Sequence, residues 1–132
     1  MIAIDSSAIL AIINEEVEGP EFARILGHYD WIIGAPTAFE SQMVVKGKDN
    51  FLAEKILNNI FSHPTGQIVP FTPQHFEAAS RAFALYGKGR DNKAGLNIGD
   101  CMSYAISHVE GVPLLYKGDD FSHTDIEPAY RP

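Results

Sequence analysis

Five acidic side chains stand where the chain's punctuation ends an apolar run or opens a helix: Asp5 after MIAI, Glu40 in APTAFESQMVV, Asp100 in NIGDCMSYAI, and the pair Asp119 and Asp120 after VPLLYKG. A carboxylate on apolar surface costs free energy unless a cation compensates it, and no basic cluster of matching size accompanies these acids. Two carboxylates about 4 Å apart repel by roughly 4 kcal/mol at an effective dielectric near 20, so several together need a bound cation or take up protons. An all-oxygen, water-rich donor set suits Mg²⁺ or Mn²⁺ rather than zinc. Such an ion directs the expectation toward phosphate chemistry. The histidines (His28, His63, His75, His108 and His123) lack zinc-ligand spacing and read as surface or half-buried residues.

Each acid also has a purely structural explanation. Asp5, followed by Ser6 and Ser7, can cap a helix, and so can Asp100 ahead of its amphipathic run. Asp119 and Asp120 after Gly118 fit a turn. Glu40 is harder to explain in this way, because helical spacing puts it on one face with Met43 and Val44 and no base in its segment pairs with it. Ser6 and Thr124 each adjoin an acid and either orient it or cap a helix or turn. Cys101 packs as a small apolar residue, and no Gly-rich phosphate loop is present.

The elements that must position these acids alternate between strand-like and helix-like patterns. Ile2–Ile4 reads as a buried strand and Ser6–Asn14 as a helix with Ala8, Ile9, Ile12 and Ile13 on one face. A second helix starts at Gly19–Pro20 with Phe22, Ile25 and Leu26 as its stripe, followed by a strand at Trp31–Gly34. Helices are expected from Pro36 to Lys46 and from Asp49 to Phe61 (Leu52, Ile56, Leu57 and Ile60 inward), then a strand at Gln67–Phe71. The helix Pro73–Tyr86 carries Phe76, Ala79, Phe83 and Ala84 on one side. A polar loop, Gly87–Asn97, leads to a helix at Gly99–Val109, a strand at Pro113–Tyr116 and a turn-rich end.

Strands separated by helices imply parallel crossovers, hence an α/β fold: a three-layer α/β/α sandwich around a mostly parallel sheet. Ligands bind beyond the carboxyl ends of such strands, where Asp5 and the Asp119–Asp120 pair fall. No repeat or linker divides residues 1–132, so one domain is expected.

Hydrophobic content of 45% is that of an ordinary soluble globule, and no run is long enough to span a bilayer. Asp5 interrupts the first apolar stretch and no basic segment precedes it, which argues against a signal peptide; a single cysteine fits a reducing cytoplasm. The net charge of −7 argues against a general nucleic-acid binder, yet leaves room for an enzyme that meets nucleic acid through metal ions and a local basic patch.

Taken together, MIAIDSSAIL, APTAFES, LNIGDCMSYAI and PLLYKGDDFSHTDI resemble the PIN domain of VapC toxins from bacterial type II toxin–antitoxin pairs, in order and across essentially the whole chain. The resemblance implies a Mg²⁺- or Mn²⁺-dependent endoribonuclease with an acidic quartet of Asp5, Glu40, Asp100 and one of Asp119 or Asp120. Asp5 and Asp100 match the metal-holding positions. Asp119 is preferred as the fourth acid with Asp120 next, and Gly118 stands where a first acid is more common. Thr124 matches a threonine that braces the site.

The family further implies a homodimer, a cognate VapB-type antitoxin that covers the active crevice, and tRNA or ribosomal RNA as substrate. The expected chemistry is metal-activated water attacking the phosphodiester to leave a 5′-phosphate and a 3′-hydroxyl. Lys88, Arg90 and Lys93, in the polar loop before Asp100, are the candidate RNA contacts.

Three other readings compete. A haloacid-dehalogenase-type phosphatase also carries an acid after its first strand, but needs a second aspartate where this chain has Ser7. A receiver-type phosphoacceptor domain lacks its N-terminal acid pair here. A catalytically silent PIN-like binding module is the non-enzymatic alternative, although a pure binding surface has no need to hold mutually repelling acids together.

Overall fold

A computed structural model describes all residues, 1–132. The chain runs β1 (Ile2–Ile4), α1 (Ser6–Ile13), α2 (Gly19–His28), β2 (Trp31–Gly34), α3 (Ala35–Gly47), α4 (Phe51–Phe61), β3 (Gly66–Val69), α5 (Pro73–Tyr86), α6 (Ile98–Glu110) and β4 (Leu114–Leu115), and closes with a 3₁₀ turn at Asp120–His123. The strands form one sheet in the order β3-β2-β1-β4, with every pairing parallel. Strand order reverses at β1, since β2 and β3 build outward on one side and β4 joins on the other. The crevice between β1 and β4 is therefore the topological switch point where ligands of open α/β sheets bind.

Strand alternation divides the core in two. Ile2, Ile4, Trp31, Ile33 and Leu115 face a cluster built with α1 to α4, whereas Ala3, Ile32 and Leu114 face one built with α5 and α6. The result is the α/β/α sandwich expected from sequence. Trp31 is fully buried and lies flat on Gly66, where an added Cβ would stand 2.0 Å from its ring. Glycine there lets β3 pair beside so large a side chain. No helix is long and apolar enough to cross a membrane.

Three expected faces turn out differently. On α5, Phe76 and Phe83 are 64% and 45% exposed, and the inward residues are His75, Ala78 and Ala82. Small side chains let α5 lie close against α6, which is a stronger constraint than aromatic spacing. His75 is buried with its Nδ1 accepting from the Thr72 backbone N–H (2.9 Å), completing a capping box with the Thr72 side chain, while its Nε2 has no hydrogen-bond partner. On α4, Ala53 and Leu57 are buried while Leu52 is exposed. On α3, the buried residues are Thr37, Ala38, Ser41 and Val45, so the face that Glu40 shares with Met43 and Val44 is open to solvent rather than a core stripe. The last strand is also shorter than expected, at Leu114–Leu115.

Candidate active site

Asp5 follows β1 with extended backbone and caps α1. Its carboxylate is buried, with 4% exposure for the residue. Oδ2 accepts from the Ser7 backbone N–H (3.0 Å) and from the Ser7 hydroxyl (2.6 Å), and Oδ1 accepts from the Ser103 hydroxyl (2.5 Å). The serine that orients Asp5 from its own helix is thus Ser7, not Ser6. A cap reaches the amide two residues on, and that geometry brings the Ser7 hydroxyl along. Ser7 also fills the position where a haloacid-dehalogenase-type phosphatase needs an acid, and here it acts as a donor to Asp5.

Asp100 sits in the first turn of α6, one turn after its true cap, Asn97. The two exchange bonds: Asp100 Oδ2 accepts from the Asn97 N–H (3.1 Å) and Asn97 Oδ1 accepts from the Asp100 N–H (2.8 Å). The Asn-x-x-Asp spacing was the available sequence signal for this reciprocal box. Burial pushes the Asp100 carboxyl up to about 6; the Asn97 bond opposes this, and repulsion from Asp5, Asp120 and Glu40 adds to it. Those three repulsions identify one acidic field drawn from β1, α3, α6 and the chain beyond β4.

Glu40 reaches this field from α3 and lies against the first turn of α6. A Cβ built on Gly99 would stand 2.5 Å from Glu40 Oε2 and 3.1 Å from Oε1. The missing side chain at Gly99 is the notch that receives the Glu40 carboxylate. Its place directly before Asp100 is the sequence signal for this notch.

Of the acid pair after β4, Asp120 opens the 3₁₀ turn and its charge bears on Asp100, whereas Asp119 bears on the Tyr116 hydroxyl. Asp119 lines a separate cavity of about 790 Å³ with Glu18, Lys117 and Arg131. Thr124 donates to the Phe121 carbonyl (2.7 Å) and accepts from the Ile126 N–H (3.2 Å), so it braces the turn without bonding an acid. Its neighbour Asp125 accepts from the Tyr104 hydroxyl (2.7 Å), tying the turn back to α6.

Lys88, Arg90 and Lys93 are all exposed on the loop between α5 and α6. That loop is well braced. Its ends pair through Lys88 N–H to the Leu96 carbonyl and Leu96 N–H to the Tyr86 carbonyl (both 2.8 Å). Asn92 donates to the Gly87 carbonyl and accepts from the Ala94 and Gly95 amides (2.9 Å each). Arg90 lies over the Phe83 ring at 5.9 Å.

No group of three or more His, Cys, Asp or Glu side chains is arranged as a ready-made ion cage. The acids that share a field nevertheless offer carboxylate oxygens only, and Asp100 ionises reluctantly among them. Mg²⁺ keeps several waters and needs only one or two carboxylates. Carboxylate oxygens of this kind are chemically compatible with a hydrated hard ion, and Asp5 and Asp100 are the side chains that could hold one.

Residues 2–127 match the PIN domain family. Ribonuclease VapC36 of Mycobacterium tuberculosis is 36% identical over 126 residues, which cover 94% of this chain and 90% of that protein. Ribonuclease VapC30 of the same species is 32% identical over 130 residues and 98% of both chains. The chain belongs to the PIN-domain family, among the VapC proteins. Two solved structures share its fold: the M. tuberculosis toxin VapC20, described as cleaving the sarcin-ricin loop (TM-score 0.74, 15% identity, 96% of both chains), and a toxin–antitoxin complex from Klebsiella pneumoniae (TM-score 0.70, 16% identity, 95% of this chain and 93% of that one).

Proposed function

We propose that this chain is a Mg²⁺- or Mn²⁺-dependent endoribonuclease and the toxin of a type II toxin–antitoxin pair. The observation that carries the reading is that Asp5, Glu40 and Asp120 all bear on Asp100, whose carboxyl burial pushes up to about 6 with their repulsion adding to the shift. Separate caps and turn residues do not explain why four acids from distant segments share one field. The named ribonuclease relatives support the activity, and the Klebsiella complex supports an antitoxin partner, which the VapC relatives make one of the VapB type.

In this reading Asp5 and Asp100 hold the ion. Asp120 is the fourth acid in preference to Asp119, because its charge reaches Asp100. Glu40, set against Gly99, positions the attacking water. When bound, the ion lowers the pKa of a water and offsets charge on the phosphoryl oxygens. Lys88, Arg90 and Lys93 bind the RNA backbone, which gives a chain of net charge −7 a local basic approach. Residues 1–132 act as a single domain in the cytoplasm, where tRNA and rRNA reside, and the toxin works as a homodimer.

The test uses the purified chain freed of any partner, incubated with total tRNA and rRNA in Mg²⁺ with and without chelator. Cleavage should stop on chelation and in Asp5→Asn and Asp100→Asn. Cleavage that survives either treatment rules the reading out. The silent binding module predicts instead no Mn²⁺ uptake by calorimetry and no thermal stabilisation by the ion.

A further inference from the structure

Asp5 is held from two directions, and the second is absent from the motif around it. Ser103 donates to Asp5 Oδ1 at 2.5 Å across 98 positions of sequence, and both residues are buried. Ser103 in turn lies 3.4 Å from the buried Thr37 hydroxyl of α3. On the other side, the Ser7 hydroxyl that donates to Oδ2 accepts from the Lys117 backbone N–H (3.0 Å), at the exit of β4. Strand β1, helices α3 and α6, and the end of β4 are therefore linked through one carboxylate.

A carboxylate has roughly four lone-pair sites. Ser7 N–H and Ser7 Oγ–H occupy Oδ2, and Ser103 Oγ–H takes one site on Oδ1. One site remains, on Oδ1. Ser103 also shares a face of α6 with Asp100, a single turn away. The helix that carries the second ion-holding acid thus carries the hydroxyl that fixes the first.

We propose that Ser103 is a positioning residue for the metal site: it fixes the plane of the Asp5 carboxylate and leaves one Oδ1 lone pair free for an ion, from the helix that also carries Asp100. This rests on the metal-dependent reading above. Groups that hold ligands in place typically account for 10–100-fold in metal affinity or activity.

The test measures Mn²⁺ affinity by calorimetry, metal-free melting temperature and RNA cleavage in four proteins: wild type, Ser103→Ala, Ser103→Thr and Ser107→Ala. Ser107 is a buried serine of the same helix whose hydroxyl donates to the Val112 carbonyl (2.6 Å) and does not touch Asp5. Ser103→Ala should bind Mn²⁺ at least about tenfold more weakly and lose cleavage in proportion. Ser103→Thr, which keeps the hydroxyl, should recover most of the affinity. Ser107→Ala should lower the melting temperature and leave Mn²⁺ affinity unchanged. If Ser103→Ala does not fold, Ser103→Cys keeps the volume while removing the strong donor, and the same loss is expected. Equal affinity in wild type and Ser103→Ala overturns the positioning role alone. A wild type that takes up no Mn²⁺ overturns the metal reading and this role with it.

Discussion

The Glu40 carboxylate rests on the Cα of Gly99, in space that any side chain at position 99 would occupy. The atom met by an added methyl is the far end of a flexible side chain, so Gly99→Ala should fold. Helix propensity favours alanine by up to about 1 kcal/mol. We expect unchanged or slightly raised metal-free stability together with a loss of RNA cleavage of about tenfold or more, as Glu40 is displaced. A paired thermal melt and cleavage assay on one preparation checks both. Adding Glu40→Asp, which shortens the acid, should restore part of the activity.

Asp100 gives the metal-free protein an unusual pH dependence. Its carboxyl stands near 6 when folded against the ordinary 3.8, so between these values the folded state binds more protons than the unfolded one. Its contribution to stability is present below about pH 4 and lost as pH rises through about 6. Asp100 is only half-buried, so solvent screening reduces the effect to on the order of 1–2 kcal/mol. Urea unfolding from pH 4.5 to 7.5 should show this loss, and Asp100→Asn should remove it. Mn²⁺ should bind more weakly at pH 5 than at pH 7.5, because the ion displaces the proton.

Asp120→Asn should reduce cleavage by at least about tenfold, whereas Asp119→Asn should stay within about threefold of wild type. Their charges bear on different groups, Asp100 for one and Tyr116 for the other. Single-turnover rates with saturating Mg²⁺ decide the assignment.

Much of the architecture was legible in the order of apolar runs. Ile2–Ile4, Trp31–Gly34 and Pro73–Tyr86 fall where their patterns put them. Burial on α5 was not legible, because Phe76 and Phe83 match the helical period while the packed face belongs to His75, Ala78 and Ala82. Periodicity marks an apolar face without saying which neighbour claims it. At the site, Asp5, Glu40 and Asp100 came from motif and punctuation, whereas motif placement favoured Asp119 over Asp120, the acid whose charge bears on Asp100. The residues that hold the acids came from neither: Ser103 and Gly99 lie within a few positions of Asp100, yet act on Asp5 and Glu40, whose proximity only the tertiary fold creates.

Gly66→Ala tests packing away from the acids. The added carbon would stand 2.0 Å from the fully buried Trp31 ring. Destabilisation of about 2–3 kcal/mol is expected from overpacking. Chemical denaturation should show the drop with Mn²⁺ affinity retained in the folded protein.

Neutralising Lys88, Arg90 and Lys93 together should weaken RNA binding and flatten its salt dependence by about 2 in logarithmic slope, since each contact to a single strand contributes roughly 0.7. An unchanged slope removes the loop from the interface. Asn92→Ala should loosen the loop and reduce affinity without changing its charge.

The amide clasp that Asn92 makes inside that loop bears on how quickly a polyanion is captured. Three cations displayed on a scaffold already folded need little rearrangement at encounter, so the bimolecular capture rate should vary steeply with ionic strength. The lifetime of the bound complex should change far less.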